Sequence, residues 1–320
     1  MSFSSLISKW DLGFRTLSGK DLGLIGLGVM GQNLALNFQN HGYSVMVYNR
    51  TERKTREFVA RHSEVSAAYS LSQLVQALDR PRRIFLMLTA GPAVDETIAA
   101  MTLHLSRGDV LMDGGNSFFR DTERRCTQLA EQGIHFLGIG ISGGEEGALK
   151  GPCLMAGGPK EGYQQVSEIL EKTAVQADGS CCQHLGPRGA GHYVKMVHNG
   201  IEYAIIQVIA EAYDMIVRVA GFEIGRMRGV FDGWGRGDLS SFLMEMTVEV
   251  LRKEDAETGL PLISLILDRA RQKGTGRWFS QNAMDLGVPV PSIDAAVGAR
   301  NLSALKNERA YASKALTRPV

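Results

Sequence analysis

The chain of 320 residues carries 35 Lys plus Arg against 34 Asp plus Glu, with 44% apolar residues and 37 glycines, enough for two ordinary domains. A formal charge of +1 gives no global field to gather a polyanion or an acidic membrane surface, so neither nucleic acid nor membrane is an expected partner, and any anion site must be local. No apolar run approaches the roughly 20 residues needed to cross a bilayer. The opening MSFSSLISKWDLGFRTLSGK is broken by charges rather than built as a signal peptide, which predicts a cytoplasmic protein. Cys126, Cys153, Cys181 and Cys182 lack metal-ligand spacing, and the adjacent pair suits no simple disulfide framework. They read as reduced thiols, and no metal is expected.

Residues 1–20 read as an N-terminal extension. From Asp21 the pattern runs DLGLIG, GQNLALNFQN, YSVMVYN, a charged helix-like stretch, then RIFLML. Short apolar runs alternating with longer amphipathic ones are the sequence form of a parallel sheet covered on both faces. DVLMDGG and IHFLGIGIS extend the sheet, with Pro92 and Asp121 placed where helices should begin. Several strands end in glycine-rich turns, and in an open α/β sheet those carboxyl ends diverge to leave a ligand crevice. After Gly186 the strand signals fade. Gly189 to Val219 has apolar residues at helical spacing with no internal Pro, and SSFLMEMTVEVLRK, PLISLILDRAR and SIDAAVGARNLSALKNERAYASKAL also read as helices. The expectation is an α/β Rossmann-type dinucleotide-binding domain over 21–188, followed by an all-α domain over 189–320.

Gly26, Gly28 and Gly31 form GLGVMG between a strand and a helix pattern. Two glycines allow a tight turn and close approach of a pyrophosphate, and the third lets the helix pack near the strand. Val29 and Met30, between them, open the helix and join the expected cofactor contacts. The end of the second strand lies beside the adenine ribose, where an acidic residue would favour NAD. This chain has Asn49-Arg50-Thr51 instead, and a guanidinium flanked by neutral polar groups suits the 2′-phosphate of NADP.

Lys195, His198, Asn199, Glu202 and Tyr203 lie at i, i+3, i+4, i+7 and i+8, on one face of a helix. Met196, Val197, Ile201, Ile205, Val208 and Ile209 supply an apolar surround. A polar stripe in that setting needs solvent or a ligand, and the glycine-rich junction before it favours a ligand.

From Asp21 to about Leu316 the chain resembles the decarboxylating 6-phosphogluconate dehydrogenases. The ordered motifs are GLGVMGQNLALN, YNRT, DGGNS, GISGGEEGALKGP, KMVHNGIEY, QKGTGRW and the AR of AAVGAR. The resemblance implies that Lys195 acts as the base for a C3 hydroxyl and Glu202 as the acid that protonates C1 after carbon dioxide leaves. It places Asn116 between nicotinamide and substrate, and Ser142, Gly143 and Gly144 near the sugar-acid carboxylate. His198 and Asn199 would position hydroxyls, while Tyr203, Lys273, Thr275 and Arg300 would hold the distal phosphate of 6-phosphogluconate. It also implies a homodimer. The chain departs from the family's long form in ending soon after NERAYASKAL, before the tail that supplies an arginine and a histidine to a partner's site. Thr89 stands where the long form usually has lysine, and Gly235 and Gly298 replace larger residues. A β-hydroxyacid dehydrogenase and a non-catalytic paralogue that binds NADP are the alternative expectations.

Overall fold

The computed structural model describes residues 19–316. Of the expected N-terminal extension, residues 1–18 lie outside the described residues, as do residues 317–320 of the helical region. The described chain forms two compact units that divide between Lys195 and Met196.

In the first unit, β1 (Leu22–Ile25) leads into α1 (Val29–Asn40), and β2 (Val45–Tyr48) into α2 (Glu52–Arg61). Then come β3 (Ser66–Ala67), α3 (Leu71–Gln76), β4 (Arg83–Leu86), α4 (Pro92–Thr102), β5 (Val110–Asp113), α5 (Phe119–Ala130) and β6 (His135–Ser142). The unit continues through α6 (Gly144–Lys150), β7 (Cys153–Gly157), α7 (Lys160–Gln164) and α8 (Ser167–Thr173). A small hairpin of β8 (Gln176–Ala177) and β9 (Gly179–Ser180) precedes β10 (Cys182–His184). The main sheet has eight strands in the order β10-β7-β6-β5-β4-β1-β2-β3. Its neighbours are parallel except β6 and β7, which pair antiparallel with Ser142 opposite Cys153. CLMAG therefore adds a reversed strand that the alternating pattern had not announced, because a strand buried on both faces shows no direction in its composition.

Both faces of the sheet are covered. Leu22 and Leu24 enter one apolar cluster with Leu34, Phe38 and Phe85, while Ile25 turns to the other with Leu86, Val94 and Ile98. Pro92 does open α4, its fixed φ suited to a first helical position. Helix α5 begins at Phe119 rather than at Asp121, which sits in the first turn where its charge meets the helix dipole.

Helix α9 (Ala190–Arg218) begins in the first unit and continues in the second. The second unit adds α10 (Ile224–Gly235), α11 (Phe242–Arg252), a 3-10 turn at Leu262–Ser264, α12 (Thr275–Asp285), α13 (Pro291–Ala304) and α14 (Lys306–Ala315). Met227, Phe231, Met244, Val248 and Leu251 form its core.

Two helical expectations need correction. PLISLILDRAR makes only the 3-10 turn, and Leu265, Ile266 and Leu267 are exposed. Its later backbone groups find partners on other elements. Ser303 Oγ accepts from Ala270 N at 2.9 Å and donates to its carbonyl, Arg300 donates to Arg271 O, and Arg309 to Asp268 O. Those bonds replace the intrahelical ladder, so the backbone is satisfied without a helix. The expected apolar surround on α9 also proves partial: Met196 is buried, but Ile201, Ile205 and Val208 are 48%, 43% and 59% exposed. The helix carries more apolar faces than the unit's core covers.

No helix among the described residues is long and apolar enough to cross a membrane.

Candidate active site

The glycine motif turns sharply from β1 to α1. Gly26 has φ 104° and a Cβ there would lie 2.3 Å from Met87 O, while one on Gly31 would lie 1.9 Å from Gly26 O. Gly28, which precedes α1, has open space where a Cβ would stand. Thus Gly26 and Gly31 close the turn and Gly28 leaves its mouth clear for a phosphate to approach the helix N–H groups. Val29 beside it is exposed, and Met30 packs on the core.

This turn opens on a crevice of about 490 Å³ at the carboxyl ends of β1 and β2, lined by Gly26, Gly28, Asn49, Arg50, Thr51 and Thr89 among others. It sits where strand order reverses, with β4 on one side of β1 and β2 on the other. Asn49 is a brace as well as a liner: its Oδ1 accepts from Leu27 N at 3.0 Å, and its Nδ2 donates to Thr51 O at 3.2 Å. Arg50 is exposed and has no ion pair among the described residues. Lys54 lines the same crevice, a second cation that sequence reading missed although it stands one helical turn beyond Arg50. Glu96 and Thr97 also face it and had no motif to mark them.

Asn116 is exposed on the loop between β5 and α5. The loop is braced from below by Asp113, which is fully buried and accepts from Gly115 N at 2.9 Å and Ser117 Oγ at 2.6 Å. Arg125 stands 3.5 Å from the Asp113 carboxylate and bonds both oxygens of Asp95 at 2.9 Å. Burial opposes the Arg125 charge, but its bonds to Asp95 and the nearby Asp113 charge outweigh that and raise its pKa. The Arg125 hydrogen bond in turn holds the Asp95 carboxyl below its usual range. The DGGNS motif pointed to Asn116; the buried charges that hold it were not legible, because their partners come from α4 and α5.

At the end of β6, Ser142 is half-buried and Gly143 and Gly144 follow with φ 118° and 64°. Asn33 Nδ2 donates to Glu145 O at 2.8 Å, and Asn37 Nδ2 to Ala148 O at 3.1 Å, so the GQNLALN helix clamps the GGEEGA turn. Lys195 is 7% exposed, and its Nζ donates to Ser142 Oγ at 2.8 Å. Glycines permit this approach. A Cβ on Gly140 would lie 2.5 Å from the Cβ of Lys195, and one on Gly191 would lie 2.2 Å from Gly138 O. The first turns of α9 therefore lie directly on the sheet. His192, buried there, stands 2.7 Å from Thr122 Oγ1, and burial pushes its pKa down.

In the second unit, His198 Nδ1 lies 3.4 Å from Glu202 Oε2 one turn along α9. Asn199 Nδ2 meets Thr275 Oγ1 at 3.4 Å. Tyr203 lies under the Arg300 guanidinium, 3.8 Å from ring centroid to Cζ, and a Cβ on Gly276 would meet that ring at 2.6 Å. Thr275 is buried at the start of α12, while Lys273, two residues earlier, is exposed with no ion pair among the described residues. The unit thus brings Asn199, Tyr203, Thr275 and Arg300 together, with Lys273 on the loop that enters α12.

The fold of the first unit is that of a Rossmann-type nucleotide-binding domain, followed by a helical domain. Residues 21–186 match the family model described as the NAD binding domain of 6-phosphogluconate dehydrogenase, and residues 191–320 match its C-terminal domain. The chain belongs to the 6-phosphogluconate dehydrogenase family. It is 51% identical over 306 residues to an NADP(+)-dependent, decarboxylating 6-phosphogluconate dehydrogenase of Bacillus subtilis, covering 95% of this chain and 65% of that protein. An NAD(+)-dependent, decarboxylating enzyme of the same organism is 49% identical over 301 residues, covering 93% and 64%. Among solved structures, the 6-phosphogluconate dehydrogenase of Plasmodium falciparum, studied apo and with NADP+ or 6-phosphogluconate, aligns with TM-score 0.89 at 41% identity, covering 93% of this chain and 65% of that one. The chain spans slightly less than two thirds of the length of these relatives.

Proposed function

We propose that the protein oxidatively decarboxylates 6-phospho-D-gluconate to D-ribulose 5-phosphate and carbon dioxide, with NADP as the oxidant. The observation that carries this reading is the buried Lys195 with its Nζ on Ser142 Oγ, at the end of a sheet whose glycine turn suits a dinucleotide. The crevice residues fit the cofactor. Gly28 leaves its approach clear, and Arg50 and Lys54 bring two cations to the side where a 2′-phosphate would lie. Similarity alone does not choose the cofactor, since NADP- and NAD-dependent relatives match almost equally well; those two cations favour NADP.

Bound NADP supplies the hydride acceptor. In this reading, neutral Lys195 takes the proton of the C3 hydroxyl as oxidation proceeds, and as an ammonium it then hydrogen-bonds the C3 ketone oxygen while the carboxylate departs. Glu202 gives its proton to C1 of the resulting enediol. Ser142, Gly143 and Gly144 hold the carboxylate end, Asn116 the nicotinamide side, His198 and Asn199 the hydroxyls. Tyr203, Lys273, Thr275 and Arg300 hold the distal phosphate.

The reading extends to a homodimer, supported by the apolar side chains that α9 leaves exposed at Ile201, Ile205 and Val208. Free Cys126, Cys153, Cys181 and Cys182 suit the reducing cytoplasm. The deciding experiment supplies NADP and 6-phosphogluconate to purified protein and follows NADPH, ribulose 5-phosphate and carbon dioxide. Stoichiometric appearance of all three is expected. A folded protein that binds NADP without turnover would overturn the catalytic reading and leave a nucleotide-binding paralogue.

A further inference from the structure

Three of the four cysteines gather at the β7–β10 edge of the sheet, where the proposed reaction has no use for them. Cys182 pairs in register with Leu154, so one residue earlier Cys181, just before β10, comes beside Cys153 at the start of β7. Leu154 N donates to Cys181 O at 2.8 Å, which holds the two strands together at that step. The Cys181 side chain beside it helps to raise the Cys153 pKa. Neighbouring strands lie about 4.8 Å apart, inside the roughly 4.4–6.8 Å between Cα atoms that a disulfide spans. Both residues are partly exposed, so an oxidant in solution can reach them.

We propose that Cys153 and Cys181 form a reversible oxidation site, closed to a disulfide by a hydroperoxide. The Cys181 thiolate attacks one peroxide oxygen, the O–O bond breaks, and a sulfenic acid forms with release of water or an alcohol. The Cys153 sulfur then attacks the Cys181 sulfur, its proton leaves with the displaced hydroxide as water, and the S–S bond closes. Two thiols lose two electrons in total and the peroxide gains them. Burial first, then the Cys181 side chain, pushes the Cys153 thiol up to about 12. Cys153 is accordingly the resolving partner, keeping its proton until the sulfenic acid has formed.

The bond would form next to the proposed catalytic contact. Cys153 stands opposite Ser142 across the β6–β7 ladder, and Ser142 Oγ is the group that receives Lys195 Nζ. A charge on Lys195 would weakly oppose the rise in the Cys153 pKa. The inference does not depend on the proposed reaction, because its test reads sulfur chemistry.

The test treats the intact protein with dilute hydrogen peroxide, alkylates the remaining thiols and maps the peptides by mass spectrometry. The expected result is loss of two of the four alkylatable thiols, an intact-mass decrease of about 2 Da and a Cys153–Cys181 cross-linked peptide, all reversed by dithiothreitol. Cys153→Ser, a nearly isosteric change, should abolish the cross-link, while Cys182→Ser should keep it. A Cys181–Cys182 linkage in its place, or Cys153 still fully alkylatable after Cys181 has oxidised, would overturn the proposal.

Discussion

Lys195 reaches Ser142 only because the strand beneath it carries glycine, and its burial sets what substitutions there should do. Lys195→Met keeps a long apolar stem on Gly140 but removes the group that would move the proton. Turnover should fall by about 10²–10⁴-fold, while NADP affinity measured by titration changes little. Wild-type turnover in that variant would reject the base assignment. Arg50 lines the crevice and makes no ion pair among the described residues, so Arg50→Asp should lower the NADP-to-NAD preference by roughly tenfold or more, read as the ratio of kcat/KM values. An unchanged ratio would transfer the discrimination to Lys54. Arg125 tests the frame rather than the chemistry: Arg125→Met strands the buried Asp113 beside an apolar chain and should lower stability by about 3–5 kcal/mol, measured by denaturant titration.

Among the elements, α9 shows how far sequence pattern goes. Its length was legible from uninterrupted helical spacing over Gly189 to Val219, and the helix runs from Ala190 to Arg218. Its seating was not. Gly191 packs against Gly138, Met155 and Gly157, so GIGIS and LMAGG are contact surfaces for a helix as much as strand ends. Spacing along the chain does not reveal which glycine meets which. Gly191→Ala would put a methyl 2.2 Å from Gly138 O and 2.4 Å from Met155 O. It should cost at least about 1–3 kcal/mol by thermal denaturation and lower turnover by shifting Lys195. PLISLILDRAR carries the opposite lesson. Its apolar residues satisfy a helical pattern, yet side chains from α13 and α14 take up its backbone groups. Periodicity counts apolar positions and is blind to such competing partners.

For the molecule as a whole, His192 links folding to pH. Burial depresses its folded-state pKa below the ordinary value of about 6.5. As pH falls through that value, the unfolded chain binds a proton that the folded one refuses. The contribution of His192 to stability is therefore full above about pH 6.5 and declines below it until the folded pKa is reached. His192→Gln should flatten the fall of the thermal midpoint between about pH 6.5 and 5.5, and a slope unchanged from wild type would assign it to other groups.

Taken alone, the amino-acid order determined the alternation of strand and helix, the GLGVMG turn, the helical spacing of Lys195, His198, Asn199, Glu202 and Tyr203, and the family to which those motifs belong. These features depend on neighbours within a few residues, where backbone sterics and period are expressed directly. Tertiary structure decided the reversal of β7, the Asp113–Arg125–Asp95 brace beneath Asn116, the bond from Lys195 to Ser142 and the meeting of Cys153 with Cys181. Each joins residues from separate elements, and only packing brings such partners within reach of one another's charge and hydrogen bonds.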